Sequence, residues 1–338
     1  MDSTRSAANG ITLRASSRAP RGGCPVGGEP PFDFDAGRAR ELHFGQNMAV
    51  SSAQGRRPLM TAYGPWMRIG YQGETGSYSH RAVTEVSDTG EPVGYATFAA
   101  AFAALEAGEI DRLVVPIENS TTGSVLPVLD RLPGDDEHQS FAIVQEHLVE
   151  IRHAIVGIRG TDISAVREVR SHPEALAQAE YHLTELGIEA VPSHDTAGAV
   201  REVAEAADPG IAALAPAWTA DAYDLEVLAG DIMDRDHNTT RFVVLAPGAP
   251  SVDDDDDKTT IVFTTAHTPG ALALVLTELG LRGANLTRIE SRPANEAWSY
   301  RFFVDLVHLP GPEGLSRIIE PPPAKCEELR VLGSYRAV

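Results

Sequence analysis

His237-Asn238-Thr239-Thr240-Arg241-Phe242-Val243-Val244-Leu245 ends in an apolar run that reads as a buried strand. Thr240, Arg241 and Phe242 then lie at the edge of that strand, where open α/β sheets meet their ligands. A hydroxyl, a permanent cation and an aromatic ring stand side by side there. Further short apolar strands are expected at 68–71, 112–116, 141–144, 153–156, 168–170, 190–192 and 211–214, with helices at 77–86, 98–107, 173–186 and 196–206. Strands alternating with helices argue an α/β fold with largely parallel sheets.

Downstream the pattern changes. Residues 247–258 hold Pro247, Gly248, Pro250 and five successive aspartates, 253–257. Adjacent like charges repel and stay solvated, so this segment reads as a linker. Beyond it come a strand at 259–266, a helix at 271–281, strands at 286–290 and 298–306, a short helix at 314–319 and a strand at 329–332. That order is βαββαβ, a ferredoxin-like unit. A unit this small is expected to cover an apolar face with a partner subunit. Residues 1–67 are Gly-, Pro-, Ser- and Arg-rich without periodicity and read as a disordered leader.

Composition excludes much chemistry. The chain of 338 residues has two cysteines, Cys24 and Cys326, too few and too scattered for a disulfide framework or a structural zinc site. Its lysines are Lys258 and Lys325, so the segment between Arg68 and Pro250 offers no Schiff-base lysine and no phosphate-loop lysine. Formal charge is −20, and residues 1–67 carry eight Arg against five acidic residues, leaving −23 for the rest. A body that acidic repels nucleic acid and anionic lipid, and no apolar run approaches the roughly 20 residues that span a bilayer. Neither nucleic acid nor membrane is expected as a partner, and no metal or cofactor is expected.

Four segments bring hydroxyl and amide groups to strand ends and helix starts: 76–80 (Gly-Ser-Tyr-Ser-His), 116–124 (Pro-Ile-Glu-Asn-Ser-Thr-Thr-Gly-Ser), 171–174 (Ser-His-Pro-Glu) and 237–242. Helix N-termini expose free N–H groups that suit a carboxylate, and Arg241 could add a bidentate clamp. Ser77, Ser171 and Asn119 could equally serve as plain N-caps.

These residues resemble the prephenate dehydratases. Tyr223-x-Leu225-x-x-Leu228, Asp234 and Thr240-Arg241-Phe242-Val243-x-Leu245 match that family's Thr-Arg-Phe pattern. Leu286-Thr287-Arg288-Ile289-Glu290-Ser291-Arg292-Pro293 matches its Glu-Ser-Arg-Pro segment, and Gly270-Ala271-Leu272-Ala273 its regulatory helix start. Leu332-Gly333-Ser334-Tyr335 is similar to the usual ending.

The resemblance implies a two-lobed, periplasmic-binding-protein-like α/β catalytic domain followed by a ferredoxin-like βαββαβ ACT domain. It implies conversion of prephenate to phenylpyruvate in phenylalanine synthesis, with arogenate dehydratase or a non-catalytic amino-acid sensor as rivals. An arogenate amine would need one nearby carboxylate, for instance Glu118. Lobe 1 is expected at about 68–147 and 217–246, lobe 2 at about 148–216, and the ACT domain at 259–338. Thr240 is the implied catalytic residue, with substrate contacts expected from Tyr78, Ser79, Asn119, Ser120, Thr121, Gly123, Ser171, Thr239, Arg241 and Phe242. Phenylalanine is expected as effector, against Gly270, Ala271, Leu272, Ala273, Asn285, Leu286, Glu290, Ser291, Arg292 and Pro293. A homodimer or homotetramer is expected, in the cytoplasm, or in a plastid if the leader is a transit peptide.

Overall fold

The computed structural model describes residues 67–133, 140–235, 237–294 and 298–338. The disordered-leader expectation for 1–67 lies, Met67 apart, outside them. The first lobe begins with β1 (Arg68–Gln72), α1 (Tyr78–Val86), β2 (Glu91–Tyr95), α2 (Phe98–Glu106), β3 (Arg112–Asn119), β4 (Gly123–Ser124), α3 (Leu126–Leu129) and β5 (Phe141–Glu150). The chain then crosses to a second lobe of β6 (Ala154–Ile158), β7 (Glu168–Ser171), α4 (Pro173–Ala177), α5 (Glu180–Leu186), β8 (Glu189–Pro192), α6 (Thr196–Ala206), β9 (Ile211–Ala215), α7 (Thr219–Ala222) and β10 (Leu225–Ala229). It returns through β11 (Thr239–Pro247) and ends in β12 (Lys258–Thr265), α8 (Ala271–Leu281), β13 (Asn285–Pro293), β14 (Tyr300–Val307), α9 (Pro312–Ile319) and β15 (Cys326–Tyr335).

Helix starts follow their capping residues. Ser77 accepts from the His80 N–H at α1, Thr97 from Ala100 at α2, and Asp195 from Gly198 at α6. Of the three possible caps, only Ser77 caps the helix that follows it. In α6 the buried side is Ala197, Ala199, Val200 and Val203, a helical spacing that presses onto β9.

Two sheets result. The second lobe's sheet runs β10-β6-β9-β7-β8, with β7 parallel to β8 and β9. The larger sheet runs β13-β14-β12-β15-β5-β11-β3-β1-β2, so the C-terminal βαββαβ unit continues the catalytic sheet. The join is a single parallel pairing of Gly333 with Ile143. A Cβ on Gly333 would meet the Ile143 carbonyl oxygen at 2.0 Å, so glycine is required where β15 crosses β5. Inside this sheet β11 lies between β3 and β5, antiparallel to both, and its Phe242 to Ala246 are buried.

One boundary differs from expectation. Residues 217–246 were expected wholly in lobe 1, yet α7 and β10 belong to lobe 2, where β10 pairs antiparallel with β6. Leu225, alternating inward on β10, buries itself against Val156 and Ala213, and this pulls the segment onto the second sheet. The lobes join through two crossing strands that bond to each other: the Ile151 N–H donates to the Asn238 carbonyl (2.8 Å) and the Ile232 N–H to that of His153 (2.9 Å). Among the described residues no helix is long and apolar enough to cross a membrane.

Candidate active site

Asn119 ends β3 directly opposite Thr240 on β11. Its Oδ1 accepts the Thr121 N–H (2.9 Å) and the Thr122 N–H (3.0 Å). Two backbone donors require an oxygen at that position, so the amide nitrogen must point the other way. Nδ2 therefore donates to Thr240 Oγ1 (2.9 Å) and to Asn238 Oδ1 (2.7 Å). The constraint propagates. Asn238 Nδ2 donates to Gln178 Oε1 (2.8 Å), and Gln178 Oε1 also takes the His153 Nε2 proton (3.2 Å). His153 Nδ1 is left as an acceptor facing the Tyr78 hydroxyl (3.2 Å), which donates to the Arg152 carbonyl (2.6 Å).

The chain of bonds runs from Thr240 across the lobe junction to Tyr78. Burial pushes the His153 pKa down to about 4, with the Gln178 bond opposing it weakly, so the imidazole is neutral. Burial likewise raises the Tyr78 pKa, and its ring packs edge-on against Trp218 of the second lobe (5.3 Å between centroids). The consequence sits at Thr240. Its oxygen accepts from Asn119, so its own proton is free to be donated elsewhere.

A β-bulge adjoins this pair. Arg241 faces Glu118 but Phe242 faces Pro116, which leaves Ile117 unpaired with β11. Pro116 lacks an N–H and is tolerated in an interior strand at such an irregularity.

Arg241 is the principal correction. Successive strand residues point to opposite faces, so Thr240 and Arg241 cannot serve one ligand. The Arg241 guanidinium donates to Glu146 (3.1 Å), Glu118 (3.2 Å) and, most closely, Asp305 of β14. Burial opposes its charge, but Asp305 and Glu146 outweigh that and raise its pKa. It is a buried strut between the catalytic sheet and the C-terminal unit, not a carboxylate clamp. Glu118 is held on that same rear face and does not offer a carboxylate to an amine beside Thr240.

Other expected contacts also have different places. Phe242 is in the core with Ile69, Tyr71 and Val83. The Ser171 hydroxyl is fully buried and donates to the Leu214 carbonyl (2.7 Å), tying β7 to β9. Ser120 accepts from the Thr239 N–H (2.9 Å), which closes the β3–β11 ladder, and Gly123 turns the β3–β4 hairpin at φ 85°. Thr121 lies in the loop that orients Asn119, and Ser79 is buried in the first turn of α1. In β13, Glu290 accepts from Ser124 (2.8 Å), and Arg292 forms two 2.7 Å bonds to Asp130. These two side chains face the catalytic lobe, while Ser291 and Pro293 are exposed. Gly270 to Ala273 open α8, with Gly270 at φ 79°, and Asn285 and Leu286 open β13.

Sequence reasoning missed Gln178 and His153, and it included Asn238 in a candidate segment without giving it a role. Asp234 caps α5 from a distance, accepting the Tyr181 N–H (2.9 Å). Among the described residues no group of three or more His, Cys, Asp or Glu side chains is arranged as a metal site. A cavity of about 840 Å³ opens beside Phe263, His267, Tyr300 and Glu328 in the C-terminal unit, and no residue of the Thr240 network lines it.

Two lobes joined by crossing strands, with polar side chains converging at the junction and a βαββαβ unit appended, define a two-lobed α/β protein with a polar cleft at its lobe junction. The model of the prephenate dehydratase family matches residues 69–249. Arogenate dehydratase/prephenate dehydratase 2 of Arabidopsis thaliana, a chloroplastic protein, is 37% identical over 287 residues, covering 80% of this chain and 73% of that one. The prephenate dehydratase of Mycolicibacterium gilvum is 33% identical over 79% of this chain and 90% of its own. The solved structure of the Arthrobacter aurescens prephenate dehydratase in complex with L-Phe superposes with a TM-score of 0.69 at 31% identity, covering 80% of this chain and 90% of that one. The chain belongs to the prephenate dehydratase family.

Proposed function

We propose that the junction cleft converts prephenate to phenylpyruvate, carbon dioxide and water, with Thr240 as the catalytic residue. The bond from the ring to its carboxylate breaks, and the electron pair enters the ring. The C–O bond at the opposite ring carbon breaks in turn. The departing hydroxide takes up one proton, and aromaticity supplies the driving force. The observation carrying this reading is the bond from Asn119 Nδ2 to Thr240 Oγ1 (2.9 Å), which frees the threonine proton for the leaving hydroxyl. Thr240 acts as a hydrogen-bond donor to developing negative charge, and its ionisation is not required. With Arg241 and Glu118 turned to the rear face, substrate carboxylates fall to neutral donors. These are the amides at the start of α1 and the hydroxyls of the 120–122 loop.

The retained Thr240 network favours an enzyme over a non-catalytic sensor. The position of Glu118 favours prephenate over arogenate. Phenylalanine, named in the Arthrobacter aurescens complex, is the expected effector of the C-terminal unit here. Leu274 and Leu281, exposed on α8, suit a contact with a second copy of the chain. A cytoplasmic or plastid setting accords with the bacterial and chloroplastic relatives. The test supplies purified chain with prephenate and, in parallel, arogenate. Phenylpyruvate formation is expected, with Thr240→Ala slower in kcat by at least about a hundredfold and folded normally. Near-normal turnover by that variant would overturn the assignment.

A further inference from the structure

Thr240 and Asn119 are cross-strand partners, and so are their neighbours Arg241 and Glu118. The side-chain period of two gives this ribbon two working faces. One carries the hydroxyl and its orienting amide. The other carries an ion cluster shared with the C-terminal unit. That cluster has three cations, Arg241, Arg288 and Lys258, and three anions, Glu118, Glu146 and Asp305. Lys258 bonds Glu146 at 2.7 and 3.0 Å, leaving Glu118 and Asp305 to the two arginines.

Those two arginines are not equally served. Arg241 bonds both carboxylates directly. Arg288, on β13, stands 3.9 Å from each, and its side chain is only 3% exposed. Among the described residues its Nε and Nη1 have no hydrogen-bond partner, while Nη2 reaches Ser124 (3.1 Å). Unpartnered buried guanidinium nitrogens are costly, so Arg288 gains from any small shift that brings it onto Glu118 and Asp305. Such a shift takes contacts from Arg241. Two cations contesting two carboxylates form an element with two arrangements, as a coupling between sites requires.

We infer that Arg241 and Arg288 form a switch in which movement of β13 changes how Arg241 is held and thereby where Thr240 and Asn119 stand. Arg241 is on this account a positioning residue that acts on the site through its own strand. The direction is physical: β13 also carries Glu290 and Arg292, whose partners Ser124 and Asp130 follow β3 in the chain. An effector that displaces β13 therefore pulls on β4 through Ser124 and on the end of α3 through Asp130.

The inference rests on phenylalanine being the effector of this unit, so the experiment separates the two. Phenylalanine binding is measured by calorimetry on the full chain. Its effect is read as kcat/KM for prephenate and as amide exchange across 238–246. Glu118→Gln and Arg288→Met are the variants; with 37% of the Glu118 side chain exposed, exchange to the isosteric amide is expected to keep the fold, and a denaturation midpoint checks this for both.

In the unmodified chain phenylalanine is expected to change kcat/KM by about fivefold or more and to alter exchange at 238–246. In either variant binding is expected to stay within about threefold, while the change in kcat/KM falls below about twofold and the exchange response disappears. Undiminished responses in a folded variant overturn the switch. So does phenylalanine that binds the unmodified chain without altering exchange at 238–246. Absence of turnover by the unmodified chain would instead defeat the functional reading, and the exchange data would still decide the switch.

Discussion

Asn119→Asp is the most discriminating substitution at the site. It preserves size and keeps an oxygen facing the Thr121 and Thr122 N–H groups, so the loop bonds of 2.9 and 3.0 Å survive. It replaces the donor that faces Thr240 with an acceptor. The Thr240 proton would then turn toward the new carboxylate and away from the leaving hydroxyl. The loss is that of one preorganised donor to developing oxyanion charge, about 2.7–4 kcal/mol, or about 10²–10³ in kcat. Asn119→Ala removes the donor without adding an acceptor, so it also drops the loop bonds and should cost folding stability of about 1–3 kcal/mol. Stopped-flow turnover of prephenate and chemical denaturation of both variants separate the effects. Asp should fail in catalysis while keeping the loop bonds that Ala loses, with the bond to Asn238 Oδ1 as its own cost in stability. If the Asp variant kept kcat within about threefold, a loss well under 1 kcal/mol, the orientation argument for Thr240 would be wrong.

Further outcomes follow from the same geometry. Arg241→Leu leaves Glu118, Glu146 and Asp305 facing one another. It should destabilise by about 3–5 kcal/mol, whereas Arg241→Leu with Asp305→Leu should recover much of that loss, as read by urea midpoints. His153, depressed to about 4 by burial, binds a proton in the unfolded chain near 6.5 and in the folded chain only near 4. The unfolded state therefore holds more protons between these values, and stability falls with acidification from about pH 6.5 to 4. The fall reaches about 3 kcal/mol, and His153→Gln should abolish that component in denaturation series at several pH values.

Much of this organisation was legible in the residues. The alternation of short apolar runs with helices marked the α/β lobes, and Thr240-Arg241-Phe242 marked the strand that matters. The opposed faces of Thr240 and Arg241 were legible too, because a strand's period of two already separates neighbours. The identity of Arg241's partners was not legible. Asp305 lies 64 residues away in the chain, on a strand separated from β11 by β12, β15 and β5 in the same sheet. Gln178 and His153 were equally out of reach, since both arrive from beyond the lobe crossing. Their positions depend on how Ile151 and Ile232 bond the two crossing strands. Glu290 and Arg292 carried no local sign that they would face Ser124 and Asp130 in place of a ligand.

The remaining chemical question is how a threonine, a very weak acid, assists loss of hydroxide. Full proton transfer from Thr240 would leave an alkoxide that the adjoining Arg241 does not stabilise, because that guanidinium is spent on three carboxylates behind the strand. Donation of a hydrogen bond avoids that state. Accepting a bond from Asn119 polarises the Thr240 hydroxyl and strengthens it as a donor, and Asn119 is itself fixed by two backbone amides and by Asn238. The neutral His153 at the far end of the chain fits this reading, since a charged imidazole there would compete for Gln178 and loosen Asn238. A preorganised neutral donor suffices because rearomatisation drives the C–O cleavage, and the departing hydroxide is neutralised by a proton from the buffered solvent.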